Sequence, residues 1–467
     1  MNAVQHISEL IERKREQFIE ISNQIWEFAE TRFEEFRSAE LLCRALEQEG
    51  FTVERGAGGI ETAFIASYGS GKPVVAVLGE FDALSGLSQK RASSEQEPVV
   101  PGGNGHGCGH NLLGTGALAA AVAVKQLMEE QGIAGTVRYY GCPGEEGGSG
   151  KTFMVREGLF DDIDFAVSWH PMDYNSIMSM NSLANYQIYY KFKGKSSHAA
   201  ASPHLGRSAL DAVELMNVGV NYLREHIIQE ARVHYAVTNT GGLSPNVVQP
   251  TAEVLYLIRA PQISQAKDIY DRVSDIARGA ALMTGTEVQI VFDKACSNLV
   301  PNETLEKVMY RKFEELGIPQ HDEQERELAR SVRSTLTDAE IASAPNIPAG
   351  MREKELADQL NPYVNGLFLS GSTDVGDVSW IAPTAQCTTA CFVVGSAPHS
   401  WQWVSLGATS IAHKGMLHAG KVMAATVIEA MQRPELMEQA KAELKSRLNG
   451  QAYSCPIPGD VKASAKK

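Results

Sequence analysis

The sequence predicts an α/β chain, a mostly parallel sheet flanked by helices, with a ferredoxin-like α+β module inserted into it. Three observations carry that expectation. Short apolar runs at residues 74–78, 137–140, 165–169 and 392–395 show little alternation, as strands buried on both faces do. Helical segments, notably 112–130 with its Ala and Leu, separate several of them, which is the order of a parallel sheet covered on both sides. Between about 186 and 294 the pattern becomes β-α-β-β-α-β, the split βαβ arrangement.

Taken in order, the chain opens on an amphipathic helix, with Ile7, Ile11, Phe18, Ile21, Ile25 and Phe28 at helical spacing among charged residues. In the inserted module Tyr186, Ile188, Tyr190 and Phe192 alternate with more polar residues, so one face of that strand is exposed. A helix over 208–227, strands near 234–238 and 253–259, a helix over 266–283 and a strand over 287–292 follow. The buried type of strand returns at 392–395. The expected division is therefore 1–185 and 296–467 for the main domain and 186–295 for the module. Residues 317–366, polar and rich in Glu, Arg, Ser and Pro, read as a partly helical insertion covering the surface. The tail after Gly450 has little apolar content and is expected to be loosely ordered. There is no internal repeat.

Composition narrows the function. The 467 residues are 43% hydrophobic and carry a net charge of −14, from 42 Lys and Arg against 56 Asp and Glu. Such a surface repels phosphate backbones and anionic lipid, which argues against nucleic-acid and membrane partners. An anionic substrate would need a local basic contact. The N-terminus lacks an uninterrupted apolar stretch of the signal-peptide kind, and no run of about 18 apolar residues occurs. Seven scattered cysteines suit a reducing compartment, so a cytoplasmic location is expected.

Chemistry-bearing residues follow the ends of the buried strands. Glu80 and Asp82 come after the first, and Gly141-Cys142-Pro143-Gly144-Glu145-Glu146 after the second. His170 directly follows Trp169, and His399 comes four residues after Gly395. A fifth segment, Gly105-His106-Gly107-Cys108-Gly109-His110-Asn111, precedes the 112–130 helix. In open α/β sheets ligands bind outside the carboxyl ends of the strands. Singly these signals are weak: a lone His is usually structural, paired glutamates are usually solvated, and a lone Cys is usually a small buried hydrophobe. His106 reads equally as an ordinary loop residue. Together they offer thiolate, imidazole and carboxylate, the set that divalent transition metals take. Adjacent carboxylates can divide labour, one binding a metal and the other taking a proton from water. A cysteine hydrolase with Cys108 as nucleophile and His110 as base is the competing reading. Side chains at i and i+2 seldom face each other, however, and the acidic cluster would raise the thiol pKa.

These motifs resemble the M20 family of metallopeptidases, in the amidohydrolase branch with Cys-Gly-His in its metal loop. The resemblance runs from about Trp26 to Lys421 and is carried by residues 103–111, 140–151, 202–211 and 372–380. It implies that Cys108, His110, Glu146, His170 and His399 hold two divalent metal ions, Mn or Zn. By the same resemblance Glu145 is the general base, and Asp82 orients His110 or a neighbouring ligand. Many members carry a His where Glu80 stands, a departure shared within the branch that leaves the ligand count open. The inserted module resembles the family's lid and dimerisation domain. His198, in the loop 197–204, would then serve as an oxyanion donor in a partner's site, joined by Asn246, and Arg259 would clamp a substrate carboxylate. Read without the resemblance, His198 is as well a cap or turn residue and Arg259 a strand-end surface charge. Asp374 and Asp377 fall in an acidic loop of the family, where turn chemistry explains them equally well.

The implied activity is metal-dependent hydrolysis of an amide bond in a small acyl-amino acid. The implied assembly is a homodimer, or a heterodimer with a related A-type subunit. Two other readings stay open, a hydrolase of another N-acyl amino acid or dipeptide and a weakly active subunit supporting a paralogous partner. The filled base and ligand positions weigh against the second.

Overall fold

A computed structural model describes residues 3–465. Seven strands form its larger sheet: β1 (Thr52–Arg55), β2 (Phe64–Ser70), β3 (Val74–Glu80), β4 (Gly135–Cys142), β5 (Phe165–Met172), β6 (Ser176–Ile177) and β13 (Thr384–Ala390). Their order is β1-β2-β4-β3-β5-β13-β6. The four central strands, β4-β3-β5-β13, pair in parallel, and antiparallel strands are confined to the edges. The mostly parallel α/β sheet expected from the apolar runs is therefore present, and β3 is buried along its whole length.

One strand lies elsewhere than the sequence suggested. The parallel neighbour of β5 is Thr384–Ala390, whereas the apolar residues 392–395 form buried irregular chain. Threonine hides the strand from a hydropathy reading, although its branched Cβ favours β structure. Its hydroxyls are satisfied by neighbouring carbonyls, Thr389 donating to Gly415 O on the helix Ser410–Met431 (2.9 Å) and Thr384 to Ala382 O (2.9 Å).

Two long helices, His110–Gln131 and Ser410–Met431, pack together in the core and are apolar nearly all round. The first is long and apolar enough to cross a membrane, yet 89% of its most apolar window is buried inside the protein.

The smaller sheet has β8 (Ala184–Lys193), β9 (Arg232–Asn239), β10 (Thr251–Ala260) and β11 (Glu287–Cys296) in the antiparallel order β11-β8-β10-β9. Helices Ala209–Leu223 and Ile263–Thr284 cover one face, burying Tyr186, Ile188, Tyr190 and Phe192 with Val254, Tyr256 and Ile258. The opposite face carries Asn185, Gln187, Leu257 and Arg259. A short parallel pair, β7 (Met180–Ser182) with β12 (Leu367–Leu369), lies beside it in the chain.

The insertion folds as helices Glu323–Arg333 and Asp338–Ser343, each opened by a capping box. It grips the segment before His399: Val394 N donates to Glu355 O (2.9 Å) and Arg333 Nε to Val394 O (3.3 Å). The tail is not loose. Arg156 donates to Pro458 O (2.9 Å) and Val461 O (2.8 Å), the Tyr453 hydroxyl donates to Asp377 (2.9 Å), and Ile457 is only 2% exposed. Satisfied backbone carbonyls and a few buried apolar side chains fix a segment whose composition is mostly polar.

Candidate active site and metal centre

Strand ends of the larger sheet and two loops carry the chemical groups. Glu80 closes β3 and Asp82 follows it; His170 lies on β5. Cys108 and His110 flank Gly109, whose φ of +74° turns the loop into its helix. A side chain there would come within 2.7 Å of Pro171, so glycine is required for the loop to lie against the end of β5. Glu145 and Glu146 begin a single helical turn, Glu145–Gly148, after β4. His399 has φ +61°, a left-handed conformation that costs a non-glycine residue about 1–2 kcal/mol. Its backbone N–H on Gly107 O (2.8 Å) ties it to the Cys108 loop.

Three groups of donor atoms result, in each of which all atoms lie within 4.8 Å of one another. They are Cys108–His110–His170, Cys108–Glu146–His399 and Glu80–His110–Glu145. Cys108 Sγ is 3.4 Å from His170 Nε2, and His399 Nε2 is 3.2 Å from Glu146 Oε1. Asp82 supports two of these residues, accepting from His110 Nδ1 (2.9 Å) and from the Glu146 backbone N–H (3.0 Å). Because a carboxylate accepts, His110 donates from Nδ1 and turns Nε2 inward, where a metal ion would take its lone pair. His170 likewise donates from Nδ1 to Pro171 O (2.9 Å), which frees Nε2. His110 Nε2 is buried without a hydrogen-bond partner, and Glu146 Oε1 is buried with His399 Nε2 facing it (3.2 Å). Orphaned lone pairs beside a thiol and further imidazoles fit divalent metal ions.

The electrostatics separate the two glutamates. Burial, reinforced by Glu80, Asp374 and Glu146, raises the Glu145 carboxyl well above its usual range. Burial alone would raise Glu146 too, but the His399 hydrogen bond and the His110 charge hold it down at about 2. Hydrogen bonds to Cys108 and Glu146 push His399 up to about 11, while burial and the His110 charge take His170 down to about 4. Two adjacent carboxyls driven apart in this way suit one proton carrier and one permanent anion. Burial and Glu146 raise the Cys108 thiol, the opposite of what an activated nucleophile needs.

The other expected residues lie apart from this cluster. His198 and Asn246 are exposed and occupy two loops joined by Ala199 N–H on Asn246 O (2.9 Å) and a bridge between His198 and Val247. Arg259 is half-buried and donates to Ser372 Oγ (3.0 Å). His106 is buried on Ile25 O (2.9 Å) and belongs to none of the three groups.

Sequence reasoning missed Lys151 and Glu35. Lys151 is fully buried, with Nζ 2.6 Å from both Glu80 Oε1 and Asp374 Oδ1. Five acidic residues gathered at one rim (Glu80, Asp82, Glu145, Glu146 and Asp374) are the signal that an internal cation was needed. Asp377 accepts from Thr152, Ser297 and Tyr453, so both aspartates support the segment behind the glutamates. Glu35 accepts from the Phe33 and Gly144 backbone N–H groups (both 2.9 Å) and so braces the loop before Glu145.

A profile of peptidase family M20/M25/M40 matches residues 76–292. The chain is 54% identical, over 99% of its own length and 98% of the relative's, to the B-type subunit of p-aminobenzoyl-glutamate hydrolase from Escherichia coli. Among solved structures, an aminobenzoyl-glutamate utilization protein from Klebsiella pneumoniae shares the fold at a TM-score of 0.60 with 14% identity. That match covers 91% of this chain and 98% of the other. A dinuclear metal binding peptidase of the M20 family from Bacillus subtilis has a TM-score of 0.55 with 16% identity, covering 90% and 99%. Identity above one half along essentially the whole of both chains goes well beyond a shared fold, and the protein belongs to peptidase family M20.

Proposed function

We propose that this protein hydrolyses the amide bond of p-aminobenzoyl-glutamate to p-aminobenzoate and glutamate. The observation that carries the substrate is the end-to-end 54% identity to a hydrolase component named for it. Cys108, His110, Glu146, His170 and His399 would hold two divalent ions; the thiolate and imidazoles favour zinc, the carboxylate manganese. When bound, the ions would polarise the scissile carbonyl and acidify a water. Glu145 takes the proton from the attacking water and delivers it to the departing glutamate nitrogen, a role supported by its raised pKa. Asp82 keeps His110 in the ligating tautomer. Arg259, whose side chain donates to Ser372 Oγ and has no carboxylate partner among the described residues, clamps the substrate carboxylate, and Asn246 assists from the His198 loop.

His198 would donate to the developing oxyanion. Its Nδ1 accepts from Ala200 N (3.2 Å) and Ala201 N (3.1 Å), so Nε2 bears the hydrogen and faces outward. Exposed as it is, it would serve a neighbouring chain's site, in a homodimer or in a heterodimer with a related A-type subunit. The outer edge of β9 and the exposed Tyr222, Leu282 and Met283 support association through residues 186–295, acting as lid and dimerisation module between 1–185 and 296–467. Seven unpaired cysteines favour a cytoplasmic setting.

The test is release of p-aminobenzoate by the purified chain, after chelation and again with manganese or zinc restored. Metal-dependent turnover is expected, and Glu145→Gln should reduce kcat by about 10²–10⁴-fold while binding the same amount of metal. Retention of most activity by that variant would remove Glu145 from the mechanism. Turnover only when an A-type subunit is present would make this chain the supporting member of a pair.

A further inference from the structure

Arg259 has a like-charged neighbour on its sheet. In the antiparallel register of β10 and β9, Arg259 stands directly opposite Arg232, and Leu257 opposite His234. Residues directly opposed across two strands project from the same face. Here it is the face away from the helices, because the intervening Val233 and Ile258 are buried among them. On its other side Arg259 pairs with Asn185, which is 2% exposed and has an Oδ1 without any hydrogen-bond partner.

This face is turned toward the glutamate loop. Gln187, two residues along β8 from Asn185, donates to Asp293 (2.6 Å). Asp293 in turn holds Arg32, which also donates to Gly147 O, the residue after Glu146. Ser372, the acceptor for Arg259, lies two residues from the Asp374 that pairs with buried Lys151.

Like charges directly opposite each other are destabilising, and among the described residues neither arginine has a carboxylate partner. Arg259 donates to Ser372 Oγ, and Arg232 to the carbonyls of Gln229 (2.5 Å) and Ala231 (2.8 Å). Their field, with that of Arg224, adds to burial in lowering the pKa of His234. In a chain of net charge −14 this is a basic island. A ligand with one negative charge leaves the repulsion between the arginines half compensated; a ligand with two relieves it. Directly opposed residues sit about 4.5–5.5 Å apart at Cα, a spacing of the same order as that between the two carboxylates of glutamate.

We propose that Arg259 and Arg232 form a dicarboxylate-reading pair, Arg259 taking the α-carboxylate beside the scissile amide and Arg232 the side-chain carboxylate of the released residue. The inference rests on the reading of the site as an acyl-amino-acid hydrolase and narrows it to conjugates of acidic residues.

The test compares kcat/KM for p-aminobenzoyl, benzoyl and acetyl conjugates of glutamate and of glutamine, in the metal-loaded full-length protein and in Arg232→Met and Arg232→Lys. The glutamate conjugate should be preferred by about 10- to 100-fold whichever acyl group is accepted. Arg232→Met should bring that ratio to within about threefold of unity, and Arg232→Lys should keep part of it. Calorimetric titration with free glutamate and free glutamine reads the same preference without turnover. Equal binding of the two amino acids, or an Arg232→Met variant that slows both conjugates in the same proportion, would overturn the pair. Glutamate preference on benzoyl or acetyl conjugates with no turnover of p-aminobenzoyl-glutamate would leave the pair standing and overturn the acyl assignment alone.

Discussion

Glu35 lies under the loop that carries Glu145 and Glu146, with Oε1 on two backbone N–H groups and Oε2 unpartnered. Burial, helped by the nearby Asp82 charge, pushes its carboxyl up to about 8. Burial likewise takes Asp173 up to about 7 and Asp377 to about 6. In the unfolded chain such groups ionise near pH 4. Between about pH 4 and 8 the folded state therefore holds protons that the unfolded state has released. The stability this confers is fully present below about pH 4 and is lost as pH rises through the folded-state values. Glu35→Gln should flatten the decline in stability between pH 6 and 8 by up to about 1.4 kcal/mol per pH unit, measured by urea unfolding at each pH. An undiminished slope in the variant would show that Glu35 is already ionised there. Residues of this kind were the part of the site that the sequence did not disclose. The candidate ligands stood out because polar residues gather just after apolar runs (Glu146, His170, His399) and in the Gly-rich loop 105–111 before a helix (Cys108, His110). Lys151 and Glu35 owe their roles to partners 223 and 109 residues away, Asp374 and Gly144, and nothing in their own neighbourhoods marks them.

At the scale of elements, the parallel centre of the sheet and the split βαβ pattern of the module were legible because burial imposes a period on their side chains. The strand Thr384–Ala390 was not, since it meets a fully buried environment with threonine hydroxyls bonded to neighbouring carbonyls, such as Gly415 O on a core helix. The insertion was not interpretable either, because its role is to hold something distant in sequence. Its Arg333 reaches Val394 O and Arg352 O, and Val394 N–H returns to Glu355 O, so the helix Glu323–Arg333 and the chain at 352–355 fix Val394, five residues before His399. From the other side Asp173 accepts from Gly395 N–H (2.8 Å). His399 is in a strained left-handed conformation, which persists only where the surroundings over-determine it. Arg333→Ala should relax that segment and weaken metal binding by about 10- to 100-fold, the usual effect of losing a residue that orients a ligand. Competition with a chromophoric chelator would measure it. Unchanged affinity together with a lowered melting temperature would mean that the insertion serves stability alone.

At the scale of the whole molecule, Arg32 ties the smaller sheet to distant parts of the chain. Its guanidinium lies against Asp293 on β11, with Nη2 to Oδ1 at 2.8 Å and Nη1 to Oδ2 at 3.1 Å, and side-chain exposures of 7% and 8%. It also donates to Gly147 O in the glutamate loop and to Ser464 O in the tail (3.0 and 3.2 Å). One side chain thus connects the smaller sheet, the glutamate loop and the last described residues of the chain, which helps hold in place a tail of unremarkable composition. Removing one member of a buried ion pair strands the other, at a cost of about 3–5 kcal/mol. Arg32→Met should lose about that much in urea unfolding, and Asp293→Asn somewhat less, because Gln187 still satisfies part of that side chain. The double variant should lose clearly less than the sum of the two, since the stranded carboxylate is gone. The positional role predicts a second effect that stability alone does not. With Gly147 released, kcat should fall in Arg32→Met well below its melting temperature, while in Asp293→Asn, which leaves the arginine on Gly147 O, it should fall less. Equal losses of kcat in the two variants would mean that Arg32 acts on the site only through the packing of the two sheets, not through the loop that carries Glu145.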